Sequence, residues 1–304
     1  MSKDKTAAFR ERARCVLCQG ASFDVLWEGR FCDEPVRSWM RASRYTGGIE
    51  HALGEETFTR VQCRDCGLSF HRRILDDEWM RTLYTEWISS AQVDAFEADR
   101  RATQPEAAAF IGGAQRVKHL LRLQHLSGGN RQLKLLDFGC GDGRFLGLAA
   151  AFGFKAFGVD FSASRQARAQ RSGISIASSL DELGSGDDYD CVTLFEVLEH
   201  VAAPREILGA LYARMRPGAT LLIEVPDCRG IQVPKSSAEF DAVQPLEHIN
   251  HFTAETLVRF CRDAGFVSVP RVPAHVTTQL LAIVKTELSR FVRPSTTSQY
   301  FRRA

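Results

Sequence analysis

LKLLDFGCGDGRFLGLAAAFGFKAFGVD, residues 133–160, is the stretch on which the reading of the fold turns. Its Leu133, Leu135, Leu136 and Phe138 make a short apolar run, as in a strand buried on both faces of a sheet. Gly139, Gly141 and Gly143 then alternate with Cys140 and Asp142. A residue without Cβ admits positive φ in a tight turn and lets backbone approach a ligand closely. Residues 144–152 follow as a helix, with Phe145, Leu148, Ala149 and Phe152 at helical spacing. Gly153 stands where a helix C-cap falls. Residues 155–160 return as a second strand that ends in an acid. Such a strand–turn–helix–strand–acid unit holds a ligand at the helix N-terminus and offers the carboxylate of Asp160 to ribose hydroxyls.

Three ligands suit that geometry. A phosphate loop requires G-x-x-x-x-G-K-[ST], and no Lys-Ser or Lys-Thr follows these glycines. A dinucleotide site requires G-x-G-x-x-G, whereas the spacing here is G-x-G-x-G and the next residue is Arg144. A nucleoside without a pyrophosphate remains. DFGCGDG with the later GVD resembles the first two motifs of class I methyltransferases, which implies S-adenosylmethionine as that nucleoside.

The 304 residues suffice for one large domain and a small one, and 44% hydrophobic with 25% charged residues is an ordinary globular composition. A net charge of +2 gives no bulk field for nucleic acid or an anionic membrane, so neither is expected as a partner. Apolar runs stay well short of the roughly 20 residues that span a bilayer, so no transmembrane helix is expected. MSKDKTAAFRERARC at the N-terminus lacks the apolar core of a signal peptide. With an odd number of cysteines, nine, a reducing cytoplasm is the expected location, with some thiols bound to metal.

Cys15-Val-Leu-Cys18 and Cys63-Arg-Asp-Cys66 are two C-x-x-C knuckles, each with glycine close behind. Two thiolates on one tight turn can face one ion, and two such turns complete the tetrahedral Cys₄ set of structural zinc. Duplication and the absence of a thioredoxin-like setting argue against a redox pair. Cys32 reads as a spare thiol. Around the knuckles, residues 23–27 and 58–61 read as strands and 41–54 as an irregular loop. Residues 76–87 read as an amphipathic helix with Trp79, Leu83 and Trp87 on one stripe, more in keeping with a core contact than a ligand box. A polar stretch, 91–103, reads as linker or lid, and 105–126 as a helix ending before Ser127-Gly-Gly-Asn.

Beyond Asp160 the alternation continues. Residues 162–172 form a helix with Ser162 as N-cap; 173–177 a weak strand; 180–183 a helical turn; 189–195 a strong strand. Residues 204–215 read as a helix, 220–225 as a strand, 255–264 as a helix, and 266–272 and 278–285 as two final strands. The expected fold is α/β: a doubly wound, mostly parallel seven-stranded sheet with an antiparallel last strand, plus a small N-terminal zinc-knuckle domain. Expected boundaries are 1–75 for the knuckles, 76–130 for a helical linker or lid, 131–285 for the main domain and 286–304 for a tail. The tail, with Arg290, Arg293, Arg302 and Arg303, reads as a solvated or docking extension.

DFGCGDG, GVD, YDCVTLFEVLEHV and RPGATLLIEVPD, in that order, resemble the strand motifs of class I S-adenosylmethionine-dependent methyltransferases over roughly residues 104–285. More narrowly, the double knuckle together with FDAVQPLEHINHFT resembles nucleotide-sugar C-methyltransferases, which carry an N-terminal zinc domain. The resemblance implies that Glu247 and His248 are the catalytic pair, with the histidine removing a proton next to a sugar ketone. That family has a Tyr two or three residues before the His, where this chain has Leu246 and Pro245. It also implies Gly139, Gly141 and Asp142 at the methionine end, Phe138 at the pocket edge, Asp160 on the ribose and Phe161 beside adenine. Phe195 and Glu196 are expected to close the pocket. The acceptor is then a small polar metabolite, most plausibly a nucleotide-linked sugar. Imidazole titrates in the range a base needs, and His251 is the second choice.

Two alternatives stand beside this. Glu196, Glu199 and His200, with His248 or His251 as a fourth ligand, resemble the divalent-metal site of small-RNA 3′-end methyltransferases and quinone-pathway O-methyltransferases. Such a set would hold a cation against vicinal oxygens and acidify a hydroxyl. The RNA version calls for a basic stripe that the charge balance does not show. The other alternative is a zinc-ribbon interaction protein whose methyltransferase fold is degenerate.

Overall fold

The computed structural model describes residues 6–43, 45, 48–88, 106–128, 132–184, 188–270, 272, 274, 280, 284 and 297–304. In chain order the elements are β1 (Phe9–Glu11), β2 (Phe23–Arg30), α1 (Val36–Ala42), α2 (Ile49–Leu53), β3 (Thr57–Cys63), β4 (Ser69–His71), β5 (Arg73–Leu75) and α3 (Asp77–Thr82), which runs into a π-helical turn at Leu83–Trp87. Then come α4 (Glu106–Leu126), β6 (Lys134–Phe138), α5 (Arg144–Ala151), β7 (Lys155–Val159), α6 (Ala163–Arg171), β8 (Tyr189–Phe195), α7 (Pro204–Arg214) and β9 (Met215–Glu224). The chain finishes with α8 (Ser237–Val243), β10 (Asn250–His251), α9 (Ala254–Asp263), β11 (Phe266–Val269) and β12 (Ser298–Arg303). These elements fall into two units. One takes 1–105, 199–202 and 226–253; the other takes 106–198, 203–225 and 254–304.

The second unit is built on a sheet in the order β11-β12-β9-β8-β6-β7. β7, β6, β8 and β9 run parallel, while β12 runs antiparallel to both its neighbours. β6 and β8 are interior strands with near-continuous burial, as their apolar runs require. Leu120, Leu123, Leu135, Phe145, Leu146, Leu222 and Tyr300 close a core over that sheet. Each such fully buried side chain contributes about 1.5–3 kcal/mol.

Three expectations are corrected here. Six strands, not seven, form this sheet among the described residues. The weak strand at 173–177 contributes a single parallel bridge, Val159 to Ala177, because Ile174 and Ile176 pack into the core instead of extending a ladder. Of the expected tail, the described residues 297–304 are not a solvated extension, and the second unit runs past 285; Arg290 and Arg293 lie outside the described residues. Ser298–Arg303 is β12, inserted between β9 and β11. Tyr300 and Phe301 are fully buried there, Arg302 donates to the Leu126 carbonyl, and the Arg303 guanidinium lies over the Tyr212 ring. The strand expected at 278–285 lies largely outside the described residues, and Leu280 and Val284 are helical.

The first unit has a four-stranded sheet, β10-β4-β3-β2, and a small β1–β5 ladder. Its core gathers Trp27, Phe58, Trp79, Leu83, Trp87, Phe240, Val243 and Leu246. Trp27 meets both Phe58 and Phe240 edge-on, at 4.5 and 5.8 Å between centroids. The expected 1–75 boundary is therefore too short: α3 and its π turn belong to this unit, and so does the insertion 226–253. Its β10 pairs with β4, Asn250 opposite Phe70 and His251 opposite Ser69. The expected linker 76–130 is split, since α4 belongs to the other unit, and 91–103 lies outside the described residues. The loop expected at 41–54 begins with the end of α1 and holds α2, whose Ile49, Ala52 and Leu53 are buried. No described helix is long and apolar enough to cross a membrane.

Candidate functional site

In the second unit, Phe138, Gly139, Gly141, Asp142 and Asp160 come together at the carboxyl ends of β6 and β7, with Phe195 and Glu196 ending the adjacent β8. The glycines are not interchangeable. A Cβ at Gly139 would lie 2.4 Å from Val197 Cγ2, so that position is needed for close packing. A Cβ at Gly141, where φ is +59°, would meet nothing within 4 Å. That open flank lets the backbone of the turn come close to a ligand.

Asp160 is 3% exposed, and its carboxylate is tied to the turn. Oδ2 accepts the Gly141 N–H at 2.9 Å, and Oδ1 accepts the Ser162 N–H at 2.9 Å. Oδ2 also accepts from Arg165 at 3.4 Å, so the acceptor capacity left for a ligand hydroxyl lies on Oδ1. Asp142 is paired with Arg144 at 3.1 Å. Phe161, next in the chain to Asp160, is 68% exposed. Glu196 is exposed and has a left-handed φ of +55°, a strained conformation for a non-glycine residue.

Other residues at these strand ends escape a reading of the sequence. The Arg116 guanidinium lies 3.7 Å from the Phe195 ring centroid and pairs with Glu224 at 3.0 Å. His119 pairs with the same carboxylate at 3.2 Å through Nε2, and its Nδ1 lies 2.5 Å from the Tyr300 hydroxyl. Burial pushes the Glu224 carboxyl up, but His119 and Arg116 outweigh it and hold the carboxyl below its usual range. Asp137, buried beside them, accepts from Thr193 Oγ1 at 2.6 Å, and burial raises its carboxyl to about 7. α4, β9 and β12 bring this set together from distant parts of the chain, and no local spacing signals it.

In the first unit, the ligand atoms of Glu199, His200 and His248 all lie within 4.8 Å of one another. His248 meets His200 edge to face at 4.7 Å between centroids. Its Nδ1 is 3.2 Å from the Ala242 carbonyl, and His200 Nδ1 is 3.0 Å from the Glu247 carbonyl. A carbonyl can only accept, so each ring donates to it from Nδ1, and His200 Nε2 lies 3.9 Å from Glu199 Oε1. Tyr84, on the π-helical turn, places its hydroxyl 3.1 Å from the same His200 nitrogen. Asn250 clamps this arrangement: its backbone N–H donates to the Glu199 carbonyl at 3.0 Å, and its Nδ2 donates to that of Val201 at 2.7 Å. Glu247 is buried beside His248 in sequence, and its carbonyl is what orients His200.

Glu196 and His251 are not part of that group. His251 is fully buried, accepts from Arg60 Nε at 3.2 Å, and burial holds it well below its ordinary pKa. It therefore stands outside the group that holds Glu199, His200 and His248. Tyr84 is the residue the sequence reading missed, since it falls outside the Trp79–Leu83–Trp87 stripe that the eye follows.

The two knuckles converge. Cys15 and Cys66 Sγ atoms are 3.5 Å apart, as are those of Cys18 and Cys63, and all four lie within 4.8 Å. The turns match: Gln19 N–H bonds the Cys15 carbonyl and Gly67 N–H that of Cys63, each at 2.9 Å. Contact with Cys66 holds the Cys15 thiol down to about 5, while Cys66 is pushed up.

The mostly parallel sheet with a glycine turn at the carboxyl end of its central strand is Rossmann-like. A family model described as a methyltransferase domain matches residues 78–270, and the chain belongs to that family. It is 31% identical over 121 residues to a ubiquinone biosynthesis O-methyltransferase from Rickettsia conorii, covering 36% of this chain and 42% of that enzyme. Against the Bordetella avium enzyme of the same name it is 30% identical over 141 residues, covering 43% and 58%. The matches thus span about half the length of these curated relatives. Solved structures that resemble it include an S-adenosylmethionine-dependent methyltransferase from Mesorhizobium loti, at 22% identity, 57% and 91% coverage and TM-score 0.37. The plantazolicin methyltransferase BpumL in complex with SAH is another, at 12% identity, 74% and 93% coverage and TM-score 0.47.

Proposed function

We propose that the protein is an S-adenosylmethionine-dependent methyltransferase that acts on a small polar metabolite, with C-methylation of a nucleotide-linked sugar as the leading reaction. The observation that supports the donor is the Gly141 flank: open space in front of a turn whose amide is locked to a buried acid. The donor supplies an electrophilic methyl group on a sulfonium. Gly139, Gly141 and Asp142 hold its methionine end, with Phe138 at the edge; Asp160 takes the ribose hydroxyls and Phe161 flanks adenine. Phe195 and Glu196 close the site from β8. Positioning and exclusion of water supply most of the rate enhancement in such a displacement.

The acceptor also needs a base. His248 is suited to it because its Nδ1 donates to the Ala242 carbonyl, which makes Nε2 the basic nitrogen of a neutral ring. Glu247 orients His200 through its carbonyl, and Tyr84 bonds the same ring. The four converging cysteines are proposed to bind a structural zinc ion. Zn–S bonds of about 2.3 Å give tetrahedral S···S edges of about 3.8 Å, close to the observed separations.

A second reading, divalent-metal-assisted O-methylation, is favoured by one observation: Glu199, His200 and His248 can all reach a common point. The O-methyltransferase relatives agree with it. Calorimetric titration with S-adenosylmethionine tests the donor, and absence of heat refutes it. Product mass from nucleotide-sugars, quinones and RNA ends, each offered with the donor and with or without chelator, separates the two acceptors.

A further inference from the structure

Arg12 directly follows β1 in the first unit, stands three residues ahead of Cys15, and is 9% exposed. Its backbone N–H bonds the Arg72 carbonyl at 2.8 Å, and its guanidinium lies over the Phe70 ring, 4.7 Å from the centroid. Nε and Nη2 donate to the His71 carbonyl at 3.0 and 2.8 Å. Nη2 also reaches the Ile249 carbonyl, and Nη1 donates to Asn250 Oδ1 at 2.7 Å. All of these acceptors are neutral. Burial works against the cation, and the Cys15 thiolate is the charge that favours it. A buried cation on neutral acceptors is costly, so what it provides is geometric: a rigid planar fork that fixes several acceptors at once.

What the fork fixes is β10. Its ladder with β4 has only the pairs Asn250–Phe70 and His251–Ser69, shorter than most strands, and a slip of one residue would turn Asn250 to the other face. Arg12 spans that ladder, joining His71 on one strand to Ile249 and Asn250 on the other. Asn250 passes the constraint on. With Oδ1 held by a donor, its Nδ2 points away, to the Val201 carbonyl at 2.7 Å, and its backbone N–H takes the Glu199 carbonyl at 3.0 Å. Those two carbonyls flank His200, and His248 stands two residues before Asn250. We propose that Arg12 is a positioning residue: through Asn250 it fixes the backbone on both sides of His200 and the course of the His248 segment, and so holds the Glu199–His200–His248 group together. Its value to methyl transfer rests on the proposed function; the clamp itself does not.

Amide hydrogen exchange of the full chain, read residue by residue, tests the clamp without an acceptor. In the wild-type protein the Asn250 amide should be as protected as those of β3. Exchange there at the rate of an open loop overturns the clamp, and this reading needs no variant to fold. Arg12→Met keeps an apolar stem and loses the fork. It should speed exchange at Asn250 by about tenfold, as for a lost hydrogen-bonded support, while β3 and residues 133–160 stay protected. A rise spread evenly over the first unit would mean a general structural role and overturns the proposal. In Arg12→Met, kcat should fall by about 10–100-fold, the cost of misplacing reacting groups by about an ångström, with donor Kd unchanged. Arg12→Lys restores the charge without the fork and should not recover kcat; recovery refutes the geometric role. Asn250→Ala should cost as much as Arg12→Met, and the double variant no more than either alone, whereas additive losses refute a shared path. A wild-type protein that methylates no acceptor refutes the proposed function instead, and exchange still decides the clamp.

Discussion

The Gly141 amide donates to Asp160 Oδ2 at 2.9 Å, joining the open side of the glycine turn to the end of the next strand. The acid therefore shapes the turn as well as facing whatever lies on it. Asp160→Ala should weaken S-adenosylmethionine binding by about 1–3 kcal/mol, the range for removing one partner of a buried polar pair. Asp160→Asn, which keeps one acceptor oxygen, should lose less. Calorimetry checks both, and undiminished affinity in the alanine variant removes Asp160 from the donor site.

His248→Ala should lower turnover at least about 100-fold, as for a lost general base, with donor affinity unchanged. Tyr84→Phe removes only the hydroxyl 3.1 Å from His200 Nδ1 and should cost about 0.5–1.5 kcal/mol in kcat/KM. Steady-state kinetics with the identified acceptor measure both. Near-normal turnover in His248→Ala would return that ring to a purely structural part.

Zinc should copurify with the protein in stoichiometric amount. Cys63→Ser breaks the Cys18–Cys63 pair and should release the ion, lowering stability by more than about 4 kcal/mol, the class of effect expected for loss of a structural metal. Elemental analysis and a denaturant titration give the answer, and a metal-free wild-type chain with unaltered stability rejects the zinc site.

His71 imposes a pH dependence whose sign follows from linkage. In the unfolded chain its imidazole takes a proton as pH falls through about 6.5; in the folded chain burial postpones this to about pH 3. Between those values the unfolded state binds more protons, so stability is complete above about 6.5 and declines by about 1.4 kcal/mol per pH unit below it. His251, held low by burial as well, acts in the same direction. Chemical denaturation at pH 7, 6 and 5 reads the slope, and His71→Phe should flatten it. A wild-type slope that His71→Phe leaves unaltered would show that this ring is not the source.

Residues 133–160 were legible because every interaction that defines the unit is local. An apolar run makes the strand, positive-φ glycines make the turn, and an acid closes the next strand within thirty residues. The knuckles were legible for the same reason, since two thiols three residues apart share one turn. β12 was not, because a six-residue strand between two partners has only Tyr300 and Phe301 as apolar signal, and the arginines beside them read as solvated.

The sequence alone determined the class of fold, the donor turn and the four thiols, since each follows from spacing along the chain. Tertiary structure alone decided that Tyr84 joins Glu199, His200 and His248, that Glu196 and His251 stay outside that group, and that the insertion 226–253 completes the knuckle unit. The Tyr84–His200 contact joins residues 116 apart in the chain, and His200 and His248 come from separate segments. What selects them is the burial of Trp79, Trp87, Phe240 and Val243 in one core, an energy that depends on which surfaces meet and that no local pattern encodes.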